Sequence, residues 1–256
     1  MINTAQLIQN TFGCETTGAQ DPGQTGTVLQ LLSSQSKAFS NATIRLAVSM
    51  MEHHDALGGF LTELRRAACA PGREFRYNAA ALSQQDREQV FSHCEQMVGL
   101  LSHPFCNRVT GVVSGKVADV PNCINFLNGG YLELAIEDIT RREVERFCRE
   151  RKLSHQLLRN VVVTDGQAKN ELDILMDIDG VKLFIEVKSG NCTDFEKYYF
   201  IGRRYGLIPD RILLVSAQLS DDQCQQLHDF LDYYTANLDS YITCLNDMLT
   251  KNFGGI

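Results

Sequence analysis

Two carboxylates and a lysine, Asp173, Glu186 and Lys188, stand in the stretch ELDILMDIDGVKLFIEVK, residues 171–188, where two runs rich in Ile, Leu, Val and Phe flank an Asp-Gly pair. Asp179-Gly180 is the dipeptide of a two-residue hairpin turn, so Ile178 should face Val181 and the strands should pair outward from there. Side chains alternate between faces along each strand. One face then carries Leu172, Ile174, Met176 and Ile178 against Val181, Leu183, Ile185 and Val187. The other pairs Asp177 with Lys182, Leu175 with Phe184, Glu171 with Lys188, and Asp173 with Glu186. The last pair sets like charges opposite one another, where a well-matched pair would contribute roughly 0.2–1 kcal/mol. A cation between the two carboxylates would turn that conflict into a binding site. A hard divalent ion with oxygen ligands is the natural occupant, and Lys188 lies on the same face. The alternative is a solvated strand face carrying ordinary charges.

The surrounding elements would position these groups. The pattern predicts a helix over about 130–152, a strand at LLRNVVVT (157–164), the hairpin, a helix over about 193–205, and a buried strand at DRILLVSA (210–217). Ser220 with Gln223 makes a capping box that opens a further helix. Upstream, residues 1–24 read as a loose polar arm. Residues 25–70 carry a helical apolar stripe that Gly58-Gly59 could interrupt, and 70–78 reads as a loop. Ser83 can cap a helix running to about Ser102, and RVTGVVSGKVADV reads as a hairpin turning at Ser114-Gly115. Helices followed by a small hairpin make a winged-helix-like region, here favouring packing or dimerisation over DNA reading because no helix is strongly basic.

The order αβββαβ, with Asp173 on the second strand and Glu186-Val187-Lys188 on the third, resembles the PD-(D/E)XK nuclease superfamily. FLNGGYLE (126–133), NELDIL and IEVKSG are similar to segments of the nuclease domain in CRISPR-accessory effectors activated by cyclic oligoadenylates. The resemblance spans roughly residues 75–235. It implies an α/β protein with a restriction-endonuclease-like αβββαβ core over 121–256 and a helical, winged-helix-like region over 1–120. It further implies a metal-dependent endonuclease, acting on DNA rather than RNA, with a place in phage defence. The resemblance assigns Asp173, Glu186, the Val187 carbonyl and Glu133, the glutamate after the paired glycines, to Mg²⁺ or Mn²⁺. Lys188 would orient the attacking water or neutralise phosphate. A homodimer is implied as well. The departure lies upstream, where those effectors carry a Rossmann-like ligand-sensing domain. The helical 1–74 segment is too short for one, so activation by a cyclic nucleotide is not expected; an unidentified activator at this region is. The non-enzymatic alternative is a catalytically silent module of the same fold, for assembly or nucleic-acid binding.

Lys197, Arg203 and Arg204 follow the strand bearing Lys188 and are candidates for phosphate contact, against the plainer reading of solvated helix charges. Arg142, Arg146 and Arg149 share a helix face, but interleaved Glu143, Glu145 and Glu150 suit an ion-paired surface equally. The run Tyr198-Tyr199-Phe200 suits core packing better than base stacking. His53-His54 and His93-Cys94 with His103 and Cys106 match no standard zinc spacing. The chain of 256 residues is 44% hydrophobic and 21% charged, a globular composition, and its net charge of −7 argues against a generic nucleic-acid coat. Nine cysteines without a CxxC suit the reduced thiols of a cytosol. The N-terminal stretch lacks the pattern of an export signal, and no segment has the length and apolarity of a membrane span.

Overall fold

A computed structural model of the chain describes residues 39–164, 169–190 and 194–255, together with the backbone of 30–33. The chain is an α/β protein that divides into two compact units, Phe39–Asp138 and Ile139–Ile256, with strand β1 (Gln30–Ser33) belonging to the second. The strand at 30–33 departs from the helical expectation for 25–70, because its backbone pairs antiparallel with the strand before the hairpin. The loose arm expected over 1–24 lies outside the described residues. None of the described helices is long and apolar enough to cross a membrane.

The first unit opens with α1 (Asn41–Glu52), whose N-cap Ser40 accepts a hydrogen bond from the Thr43 amide, and α2 (His54–Cys69). The break between them falls at His53 and not at Gly58-Gly59. Those glycines remain helical, and a Cβ on Gly59 would stand 2.7 Å from the Tyr77 hydroxyl, so close approach explains that residue. The expected loop at 70–78 contains strand β2 (Glu74–Asn78). Its Phe75 is buried and meets Phe60 edge to face, a tertiary contact that outweighs the flanking turn residues. Ser83 caps α3 (Gln84–Gln96), which ends before Ser102 because 101–107 is drawn into a sheet. That sheet is completed by β3 (Leu101–Asn107) and β4 (Val112–Val117) in the order β2-β4-β3, all antiparallel.

The hairpin between β3 and β4 turns at 108–111, not at Ser114-Gly115. Asn107 Oδ1 accepts from the amides of Val109 and Thr110, and Gly111 takes a φ of +74° against the Ala80 backbone, where a Cβ would lie 2.9 Å away. Gly115 stays inside its strand. The β3–β4 ladder is interrupted between Ser102 and Phe105, where His103 has a φ of +52° and Pro104 follows. A short helix, α4 (Pro121–Asn125), and a π-turn at Phe126–Gly130 lead into α5 (Tyr131–Arg151), within which the unit boundary falls.

The second unit continues with β5 (His155–Thr164), β6 (Lys169–Ile178), β7 (Val181–Lys188), α6 (Glu196–Arg204), a 3₁₀ turn at Pro209–Arg211, β8 (Ile212–Ser216), α7 (Asp221–Leu231), β9 (Tyr234–Ala236) and α8 (Tyr241–Phe253). The strands order β1-β5-β6-β7-β8-β9, antiparallel up to β7 and parallel from β7 to β9. The Ser220–Gln223 capping box opens α7 as expected. Both faces of the sheet are buried. On one, Leu175, Phe184, Ile212 and Leu214 pack with Tyr198 and Ile201 of α6. On the other, Ile174, Met176, Ile178 and Ile185 are fully enclosed. Helices α5 and α8 meet through Phe147 on Phe253 and through the Thr140 and Tyr241 hydroxyls. A sheet covered on two sides gives any charge placed in it little access to water.

Candidate active site

The β6–β7 hairpin turns at Asp179 (φ +46°) and Gly180 (φ +83°), and its ladder runs from Ile178 opposite Val181 to Ile174 opposite Ile185. That is the register the turn dipeptide predicts. Beyond Ile174 the ladder stops. The Val187 amide instead donates to Oδ2 of Asp173 at 2.8 Å, so a side-chain carboxylate takes the role of a strand carbonyl. The other edge of strand β7 continues to pair with β8, from Phe184 opposite Ile212 to Lys188 opposite Ser216. The Ala217 amide also donates to the Lys188 carbonyl at 2.9 Å. Asp173 is thus fixed on one side, and Glu186 and Lys188 are held on a strand supported from the other.

Glu186 is only 5% exposed, which rules out the solvated-face reading of this pairing. Its Oε1 accepts from the Lys188 ammonium, while its Oε2 is buried without a hydrogen-bond partner among the described residues. The Tyr198 hydroxyl favours the charged form of this carboxylate, and the Lys188 ammonium sits 5.3 Å from the Tyr198 ring centre. Burial raises the Asp173 carboxyl above its ordinary range, against the pull of Lys188 and the Val187 amide. Burial and then the Asp173 charge push Glu186 up to about 7. Burial alone would lower Lys188, but Glu186 and Asp173 outweigh it, so its ammonium is held more tightly than usual. Two carboxylates facing one ammonium leave a surplus of negative charge in a poorly hydrated place.

The donor set suits a hard divalent cation: carboxylate oxygens, one of them buried and unsatisfied, on strands β6 and β7, whose residues include no cysteine or histidine. The pair is not a complete cage. Among the described residues no three His, Cys, Asp or Glu side chains form a ready-made metal group. Glu133 lies in the first turn of α5, half-buried, in the segment assigned to the first unit. Val187 contributes its amide to Asp173 and is itself buried.

Of the three basic candidates on α6, Lys197 is brought to the site. Its charge acts on Asp173, and its ammonium lies 5.8 Å from the Tyr198 ring centre. Arg204 is seven residues on, close to the same helix face. Arg203 is turned aside and lies against Tyr199, donating to its hydroxyl at 3.3 Å. Sequence reasoning assigned Tyr198 to the core and missed its hydroxyl; the signal was there, since a tyrosine at a buried helix position needs a polar partner. On α5, Arg146 pairs with Glu143 and Arg151 stacks on Phe147, as an ion-paired surface requires. His93 engages both ring nitrogens, with Ser49 Oγ at 3.0 Å and the Gln89 carbonyl at 2.8 Å, and has no nitrogen left for zinc.

No protein-family model and no curated protein matches the chain. Solved structures do. Protein VC1899 from Vibrio cholerae aligns over 84% of this chain at 18% identity with a TM-score of 0.53. Can2 from Sulfobacillus thermosulfidooxidans, solved in complex with cyclic tetra-adenylate, aligns over 86% at 12% identity with a TM-score of 0.56. At such identities the likeness is one of fold. The chain spans 56% of the length of the first and 58% of the second.

Proposed function

We propose that this chain is a metal-dependent endonuclease of the PD-(D/E)XK type, acting on DNA rather than RNA, and that it serves in defence against foreign nucleic acid. The observation that carries the proposal is the interrupted ladder at Asp173. A strand gives up a backbone hydrogen bond there to present a carboxylate beside buried Glu186 and its paired Lys188. A purely structural sheet gains nothing from that arrangement. Asp173 and Glu186, with the Val187 carbonyl and Glu133, would hold Mg²⁺ or Mn²⁺, which when bound supplies a more acidic water and charge compensation at the phosphate. Asp173 is held in place by the Val187 amide and needs no reordering. Lys188, kept cationic by Glu186 and Asp173, orients the attacking water and faces the phosphate oxygens. Tyr198 favours the charged form of the Glu186 carboxylate, and Lys197 with Arg204 draws in the phosphate backbone.

A fold shared with Can2 supports the reading. That protein was solved with a cyclic nucleotide, and by analogy an activating ligand or partner belongs to the proposal. We also assign a homodimer and a winged-helix-like packing role to the first unit, whose helices α1–α3 precede and flank a three-stranded antiparallel sheet. The test is cleavage of supercoiled plasmid, linear duplex, single-stranded DNA and RNA with Mg²⁺, Mn²⁺ or EDTA. Metal-dependent cutting lost in Glu186→Ala and Lys188→Ala supports the proposal. Mn²⁺ titration that is silent, or unchanged by Asp173→Ala, together with no cutting, leaves the silent nucleic-acid-binding module.

A further inference from the structure

The second face of α6 is unused by the site above. Tyr199 and Phe200 project from it, with Phe200 62% exposed, and across from them Phe230 of α7 is 74% exposed. Together with Pro209 they line a cleft of about 360 Å³, near the lower end of the roughly 300–1,000 Å³ usual for small organic ligands. Glu196 and Asp232 stand on its wall. Tyr199 and Phe200 meet edge to face at 5.7 Å between centres, and Arg203 lies on the Tyr199 ring at 5.6 Å. Aromatic walls suit a flat ligand. Carboxylates on the wall exclude phosphate and select groups that donate hydrogen bonds. Glu196 of the cleft and Lys197 of the catalytic side are consecutive residues, so cleft and site flank one helical turn.

We infer that this cleft is a subsite for one unpaired nucleobase, guanine in preference, of a single-stranded substrate whose backbone crosses the Asp173–Glu186–Lys188 site. The inference rests on the reading of the chain as one that engages nucleic acid there. A base held in a duplex cannot enter; an unstacked one presents a π-face to Phe200 and Phe230. Guanine places its N1–H and its amino group side by side, a donor pair that one carboxylate accepts together, whereas thymine and uracil flank their single donor with carbonyls.

The test uses the full chain and the exposed-residue variants Phe200→Ala and Phe230→Ala. Binding of a fluorescent single-stranded decanucleotide with one central guanine is measured in EDTA, and its cleavage with Mg²⁺. Each variant should lose about 5- to 150-fold in single-strand affinity, the range for one base leaving an aromatic platform, with duplex binding unchanged. Glu196→Gln should reduce the preference for guanine over thymine at that position. Cleavage and binding that are intact in both Phe variants would overturn the subsite and leave the nuclease reading standing. Phe-dependent binding without metal-dependent cleavage would retain the subsite and overturn the nuclease. A change of oligomeric mass in the variants, with strand affinity unchanged, would show instead that a second copy covers the cleft and would overturn the proposal.

Discussion

The two ends of the β6–β7 hairpin carry the same residue types and do different things with them. At the tip, Asp177 and Lys182 face each other at 3.7 Å with about a fifth of each side chain in water. Asp177 also accepts from the Gly180 amide at 2.8 Å and so helps close the turn. At the base, the Lys188 ammonium is bonded to Glu186 and its charge also acts on Asp173, in a sheet covered on both faces where the ladder is interrupted. The tip satisfies its charges within the strand pair. The base does not, and its surplus negative charge is what a cation would neutralise. Burial, not residue type, separates an ordinary ion pair from a site.

Removing the base carboxylates should sharpen that contrast most. Asp173→Ala or Glu186→Ala should lower cleavage by about 10³-fold or more, read in single-turnover assays, since both the metal and its charge compensation go. Lys188→Met comes next. It leaves two buried carboxylates without their counter-ion, so urea denaturation should report a loss of about 3–5 kcal/mol alongside lost activity. The pH dependence is smaller and has a defined sign. Glu186 keeps its proton to about 7 in the fold, whereas an unfolded glutamate releases it near 4.5. The folded chain therefore binds more protons between those values, and metal-free stability should fall as pH climbs through that window. Mn²⁺ competes with the same proton, so affinity measured by calorimetry should rise up to tenfold per pH unit below about 7 and flatten above it. A Mn²⁺ affinity that stays flat across that range would remove Glu186 from the ligand set. At the tip, Asp177→Asn should leave cleavage unchanged and shift stability by no more than about 1 kcal/mol. If it mattered as much as Asp173→Ala, the contrast between the two ends would collapse.

Much of the base was legible in the sequence because its signals are local. Asp179-Gly180 fixes the turn, the turn fixes the register as far as Ile174 opposite Ile185, and that register extended by one pair aims Asp173 at Glu186. What register could not reveal is that the strands part there, since that depends on β8 holding β7 from the far side. Tyr198 was visible as a buried helix position but not as a neighbour of Glu186, because Glu186 lies twelve residues back on another element. The first unit was harder. Ser114-Gly115 looks like a turn locally, yet the chain turns at 108–111, where Asn107 and the approach of Ala80 decide the matter. Strand β2 is another case of tertiary contact overriding local preference, with Phe75 inserted against Phe60. Glu133 was placed by resemblance, not by spacing.

The break in β3 has a consequence for how copies of this chain behave when crowded. Strand β3 lies at the outside of its sheet, with Phe105 59% exposed along it, the profile of a strand that recruits others. Pro104 brings no amide to an incoming chain, and the irregular backbone at His103 prevents a straight run of donors and acceptors from lining up. The kink thus acts as a guard against edge-to-edge growth. A regular, proline-free version of the same edge would be expected to trade solubility for a longer ladder.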